Sequence, residues 1–247
     1  MKRTGRRIAV LLMCALLLSG CGWLDQLWIM AKAGRALSTM TSLTAEIEIE
    51  AEGKAGNLYL WLPYTVIGQG RLQWQKEPAS FNLDLKWQGG SGLLQIPLHT
   101  QIQRRLRNDQ WQHYEEKQKQ WVDDVPPEKI PLDQDALWAL LKAGQWSMNE
   151  TIRGLRCAEV SVKLEAEKAV DLLQSWGVQE PILSLIKSQD ELAVCLAVNY
   201  ESGEPVRLTL DSESVWQPDD KLSLTLAQLH VQADFSLINE TEWLPLE

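Results

Sequence analysis

From Thr44 the side chains alternate with a period of two, with Ala45, Ile47, Ile49 and Ala51 on one side and Glu46, Glu48, Glu50 and Glu52 on the other. A helix would scatter those apolar residues around its circumference, whereas a strand gathers them on one face and leaves the other wet. The four glutamates are read as a solvated surface rather than a cation site, because like charges spaced two apart repel along one face. A turn is predicted over Gly53 to Gly56, and the same period then returns through Leu58, Leu60 and Leu62, through Leu72 and Trp74, and through Phe81, Leu83, Leu85 and Trp87. Leu94, Ile96, Leu98 and the segment from Ile102 to Leu106 continue it, with Gly68, Gly70, Pro78, Gly89, Gly90 and Gly92 between segments at strand spacing. Two short strands through Trp111 and Trp121 complete a predicted antiparallel meander.

A sheet this long with one apolar face has to cover that face, and helices are what remains to do so. Trp23, Leu24, Leu27, Trp28, Ala31, Ala36, Leu37 and Met40 have a partly helical spacing, interrupted by Gly34. Asp123 to Pro131 is a charged, proline-rich connector, and a helix is predicted beyond it, carrying Leu137, Trp138, Leu140 and Leu141 and ending near Gly144. Strand alternation resumes with Ala158, Val160, Val162 and Leu164. It then gives way to two apolar helices, residues 166–176 closed by Gly177 and residues 182–187 opened by Pro181. The end of the chain is again sheet, through Leu192 to Tyr200, Val206 to Leu210 and Leu222 to Phe235. The predicted class is mostly β with α, a curved antiparallel sheet covered on its concave face by helices.

The N-terminus decides the compartment. Lys2, Arg3, Arg6 and Arg7 precede an apolar run from Ile8 to Leu18 that is long enough for a signal-peptide core and too short to span a bilayer. Leu18-Ser19-Gly20-Cys21 then resembles the lipobox of bacterial lipoproteins, which implies cleavage before Cys21 and lipidation of its thiol. Residues 1–20 are thus expected to be a lipoprotein signal peptide, 21–35 a lipid-anchored segment and 36–247 a single domain on the extracytoplasmic side of the cell membrane. Trp23 and Trp28, so close to that thiol, have two readings: packing on the domain, or resting in the membrane interface. Loss of the signal's four cations takes the formal charge from −9 to −13, which makes nucleic acid and anionic lipid headgroups poor partners for the bulk of the chain.

With the element order on the page, the chain resembles the LolA/LppX-like family of bacterial lipoproteins and lipoprotein carriers. The residues that carry the resemblance are the junction from Ala36 to Ala45, Trp111 to Tyr114 with Trp121, the helix at 135–143, Gly154 to Cys157, and Ser202 to Val206. The family implies a half β-barrel closed by helices, and a hydrophobic ligand such as a lipid or acyl chain. Trp61, Trp74, Trp87, Leu172, Leu173 and Trp176 are the expected lining of its groove.

Chemistry is sparse. His99, His113 and His230 lack metal-ligand spacing, so no metal or cofactor is predicted, and no nucleophile or phosphate-binding motif occurs, so an enzyme is not the expectation. Cys157 and Cys195 fall on the non-apolar face of their strands, so neighbouring strands would let them bridge in an oxidising compartment; two free thiols are the alternative. Two functions stay open: a membrane-anchored protein that binds a hydrophobic ligand, or an anchored partner, with its cavity filled by helices, that positions or regulates an envelope enzyme. An apolar cavity of roughly 300 Å³ or more would separate them.

Overall fold

The computed structural model describes residues 25–57, 60–77, 79–91, 94–107, 110–115, 118–124, 134–165, 167–168, 170, 191–213 and 223–240. A first helix, α1 (residues 25–39), leads into strands β1 (Ser42–Asn57), β2 (Leu60–Gln75), β3 (Ser80–Ser91), β4 (Leu94–Arg107), β5 (Gln110–Glu115) and β6 (Gln120–Asp123). Helix α2 (Gln134–Ala143) follows. The chain then continues through β7 (Gln145–Ile152), β8 (Leu155–Glu165), β9 (Glu191–Asn199), β10 (Pro205–Glu213) and β11 (Ser223–Ser236). These strands form one 11-stranded sheet in the order β6-β5-β4-β3-β2-β1-β11-β10-β9-β8-β7. Each neighbouring pair is antiparallel. The first and last strands therefore meet in the middle, and β6 and β7, consecutive in sequence, are the two edges.

The alternation of β1 sets the faces of the whole sheet. Ala45 pairs with Leu72 on one side and Phe235 on the other, and Ile49 pairs with Gly68 and Val231, so one face stays apolar across three strands. On β11 the apolar residues change parity, from Leu224 and Leu226 to Leu229, Val231 and Ala233. One irregularity absorbs the change: Ala51 pairs with Leu229 but Gly53 with Leu226. Such a bulge keeps both sets of leucines at positions of the same face. Gly53 and Gly56, expected in a turn, therefore lie within β1, which continues to Asn57 and pairs with β2 up to Leu60.

Helices α1 and α2 both reach the core. Ile29, Ala33, Leu37 and Met40 of α1 and its exit, together with Leu141 of α2, are buried in one cluster with Leu43, Val160, Leu192, Val194, Leu196, Val198, Leu208, Leu210 and Phe235. Their spacing at i, i+4, i+8 and i+11 is that of a helix stripe facing the sheet. The core thus begins at Ile29, ahead of residue 36. Nor does Gly34 interrupt α1: a Cβ there would collide with the Trp138 ring of α2, so the glycine lets the two helices approach. Gly203, in the β9–β10 turn with φ +80°, has the same role toward the sheet, because a Cβ would run into the backbone of Lys32 and Ala33. The Lys32 ammonium donates to the carbonyl of Glu201 in that turn and, at 3.5 Å, to that of Tyr200.

Candidate functional site

The even positions of β2 share the apolar face, but not one environment. Trp74, opposite Leu43 of β1 and Phe81 of β3, is 3% exposed. Toward the β1–β2 hairpin end Leu72 and Val66 are half-buried, and then Leu62 and Leu60 are 51% and 63% exposed. Tyr64 lies between them, half-buried, and burial pushes its phenol up. The face therefore runs from a packed floor beneath the helices to an open apolar end. The β2–β3 ladder begins at Thr65 with Gly90, so residues 60–64 extend beyond β3. On the packed floor the Trp74 indole N–H is a buried donor with no hydrogen-bond partner, in a structure where such groups ordinarily find one.

Of the expected lining, Trp74 is on this face. Trp87 pairs with Gly68 and so holds a register position of the same parity, whereas Trp61, opposite Gly56, holds the other parity. Leu172, Leu173 and Trp176 lie outside the described residues, as do Cys21 and the signal at residues 1–20. Leu60 and Leu62 were legible only as strand residues. The signal that could have found them is the charge-free run from Asn57 to Gly70, in which Leu58, Tyr59, Leu60, Trp61 and Leu62 are apolar at both parities.

The opposite face is polar and acidic. Arg207 forks onto Asp234 at 2.6 and 2.9 Å, and that hydrogen bonding, with the Asp234, Glu48 and Glu159 charges, holds its guanidinium above its ordinary pKa. His230 Nδ1 lies 2.5 Å from Asp211. Cys157 and Cys195 stand on this face on neighbouring strands, as expected, but the expected bridge is absent and both thiols are free. The register explains it: Cys157 pairs with Asn199 and Cys195 with Ser161, an offset of four residues, or about 13 Å along the strands, against the roughly 7 Å a bridge tolerates. Cys157 is instead buried with Ile152, Ala197 and Val206. Burial first, then the carboxylates of Glu159, Asp211 and Glu150, push the Cys195 thiol up to about 11. Burial, with Glu150 nearby, also raises the Glu159 carboxyl.

A cleft of about 330 Å³ lies between α1, the β9–β10 turn and the exit of β11, lined by Lys32, Arg35, Ala36, Thr39, Ser202, Glu204 and Asn239. It has the volume expected of a ligand cavity but polar walls, so it is not the apolar groove. Among the described residues no three His, Cys, Asp or Glu side chains gather as metal ligands, and no helix is long and apolar enough to cross a membrane.

No family model and no curated protein matches the chain. Among solved structures, LprF from Mycobacterium bovis is similar at 17% identity, with 90% of this chain and 96% of that chain covered and a TM-score of 0.47. A DUF1329 family protein from Desulfovibrio piger follows at 9% identity, 84% and 90% coverage and a TM-score of 0.23. DynF from the dynemicin biosynthesis pathway of Micromonospora chersina is at 11% identity, 79% coverage of each chain and a TM-score of 0.21. Likeness at this level carries no functional weight. The single antiparallel sheet with helices on its apolar face is nonetheless consistent with the LolA/LppX-like architecture that the sequence resembles.

Proposed function

We propose that the chain is a lipoprotein, anchored through Cys21 to the extracytoplasmic side of the cell membrane, whose sheet binds an acyl chain or similar hydrophobic ligand on its apolar face. The observation that carries this reading is the exposure of Leu60 and Leu62 in register with the buried Trp74: an apolar face prepared by the sequence and only partly covered by helices. A ligand chain laid there would remove both leucines from water, at about 25 cal/mol per Å² of apolar surface buried. The unpartnered Trp74 indole N–H would offer a donor to a ligand's polar end. The half-barrel curvature belongs to this proposal. Edge strands β6 and β7 would be about 48 Å apart in a flat sheet, ten intervals at ~4.8 Å. The connection between them contains ten helical residues, so it would have to be almost fully extended. Bending the sheet relieves that.

The partner reading also has an observation in its favour: Ile29, Met40 and Leu141 are fully buried, so under the helices the face is already filled. Native mass spectrometry of the purified chain separates the two. Co-purified lipid, lost when Leu60 and Leu62 are both replaced by serine, is the expected result; a ligand-free protein with no lipid uptake would leave the partner reading.

A further inference from the structure

Among the described residues, the large apolar side chains that remain exposed fall at two ends of the sheet, apart from Ile67, which lies opposite Glu50 on the polar face of β2. Leu60 and Leu62 mark the hairpin end. Leu27, Trp28, Leu155 and Leu237 lie at the other, where α1, the β7–β8 turn, the β9–β10 turn and the exit of β11 meet. The register puts these pieces together: Tyr200 donates its amide to Arg156 O, Asn239 donates to Ser42 O, and the Arg153 guanidinium reaches Phe235 O. Leu237 is held out with φ 49°, a left-handed conformation that branched or bulky side chains seldom adopt.

At this end the aromatic rings are fixed without being buried. Trp28 is 49% exposed, yet its ring is 5.7 Å from that of Tyr200 and lies 3.4 Å beneath the Lys32 ammonium, while the Arg156 guanidinium lies 3.9 Å over Tyr200. A cation, two aromatic rings tilted 53° to one another and a second cation thus form one continuous row of contacts. Indole and phenol rings flanked by cations suit the boundary between headgroups and acyl chains, where one side of the ring is wet and the other apolar. The charge here is balanced, Lys32, Arg35, Arg153 and Arg156 against Asp25, Glu201, Glu204 and Glu240, whereas the polar face of β1 presents an unbroken row of glutamates.

We propose that this end of the domain docks on the surface of the bilayer that holds the anchor, through Leu27, Trp28, Leu155 and the Lys32-Trp28-Tyr200-Arg156 row. The inference rests on the reading of Cys21 as the lipidated residue. Only residues 22–24 separate that cysteine from α1, and a fully extended chain of this length reaches about 14 Å. The start of α1 therefore cannot move away from the headgroups, and the nearest surface of the domain is the one with the exposed indole. The opposite end, with Leu60 and Leu62, is then held away from the membrane by the length of β1 and β2.

The test uses the acylated full chain in vesicles of phosphatidylethanolamine and phosphatidylglycerol, with mass spectrometry to establish the lipid at Cys21. Hydrogen exchange of peptides covering 153–157 and 199–203 is compared between the parent chain and two acylated variants, Leu27→Glu with Trp28→Glu, and Leu155→Glu alone. At least about threefold slower exchange in the parent, with β9 equally protected in all three, is expected. Equal exchange at both peptides in a chain that carries its lipid overturns the docking and leaves the anchor intact; a chain without lipid at Cys21 overturns both. Should the double variant fail to fold, the Leu155→Glu chain decides alone, since it changes a different element.

Discussion

β9 and β2 have similar sequences in one respect, leucines and other apolar residues at every second position, and opposite fates. Leu192, Val194, Leu196 and Val198 of β9 are at most 1% exposed, whereas the apolar face of β2 goes from a buried Trp74 to an exposed Leu60. The alternation alone does not distinguish them; the position of the strand beneath α1 and α2 does. An apolar period of two therefore specifies a face, and only the helices decide which part of that face becomes core and which part is left as a surface. The same sheet holds the fold together in one half and leaves apolar side chains exposed in the other.

The largest expected effect lies in the packed half. Leu196→Ala removes a side chain that is 1% exposed and leaves a cavity, and should cost about 2–5 kcal/mol of stability by denaturant unfolding. A cost below 1 kcal/mol would mean that β9 is no better packed than β2, and the contrast would collapse. A smaller loss, roughly 1–3 kcal/mol, is expected on the polar face from Asp234→Asn, which leaves the half-buried Arg207 fork without its charged partner. Adding salt should change that loss little, because the pair is mostly shielded from solvent.

The two thiols sharpen the comparison between faces through pH. Since burial and three carboxylates hold Cys195 near 11, native protein at pH 8 should react slowly with iodoacetamide, and unfolding should release two reactive thiols from Cys157 and Cys195 without a reductant. A bridge would instead leave neither. Glu159 titrates in the direction opposite to a paired carboxylate. Its folded pKa is raised above its ordinary value, so the unfolded chain gives up its proton first, and stability falls as pH rises through the ordinary carboxylate range and up to the folded pKa. Glu159→Gln is expected to flatten that part of the stability curve and to gain a little at pH 7; an unchanged curve would mean that Glu159 is as well solvated folded as unfolded.

Much of the sheet was readable because a period of two is a local property, and Glu46 to Glu52 announce a wet face without reference to anything distant. Pairing was not readable, and that is where the expectations failed. The parity change between Leu226 and Leu229 has meaning only once β11 is known to lie against β1, where it becomes a bulge that absorbs Gly53. The cysteines were rightly placed on one face and on neighbouring strands, but the offset between Cys157 and Cys195 is a property of register, which neither strand encodes alone. Gly34 looked like an interruption because the Trp138 ring it accommodates comes from a hundred residues away. The open end of the apolar face went unseen for the same reason: exposure of Leu60 and Leu62 depends on where the helices stop.

The smallest expected effect on stability is at that open end, and it is the most discriminating. Leu60 and Leu62 already face water over more than half of their surface, so replacing both with serine removes little packing and should change unfolding free energy by no more than about 0.5 kcal/mol. Were they core residues in solution, covered by elements beyond the described ones, the same change would cost several times more, as Leu196→Ala does. Stability near that of the parent chain together with lost lipid uptake assigns the hairpin end to binding. A large destabilisation would make it an extension of the core, and the two halves of the apolar face would no longer differ in kind.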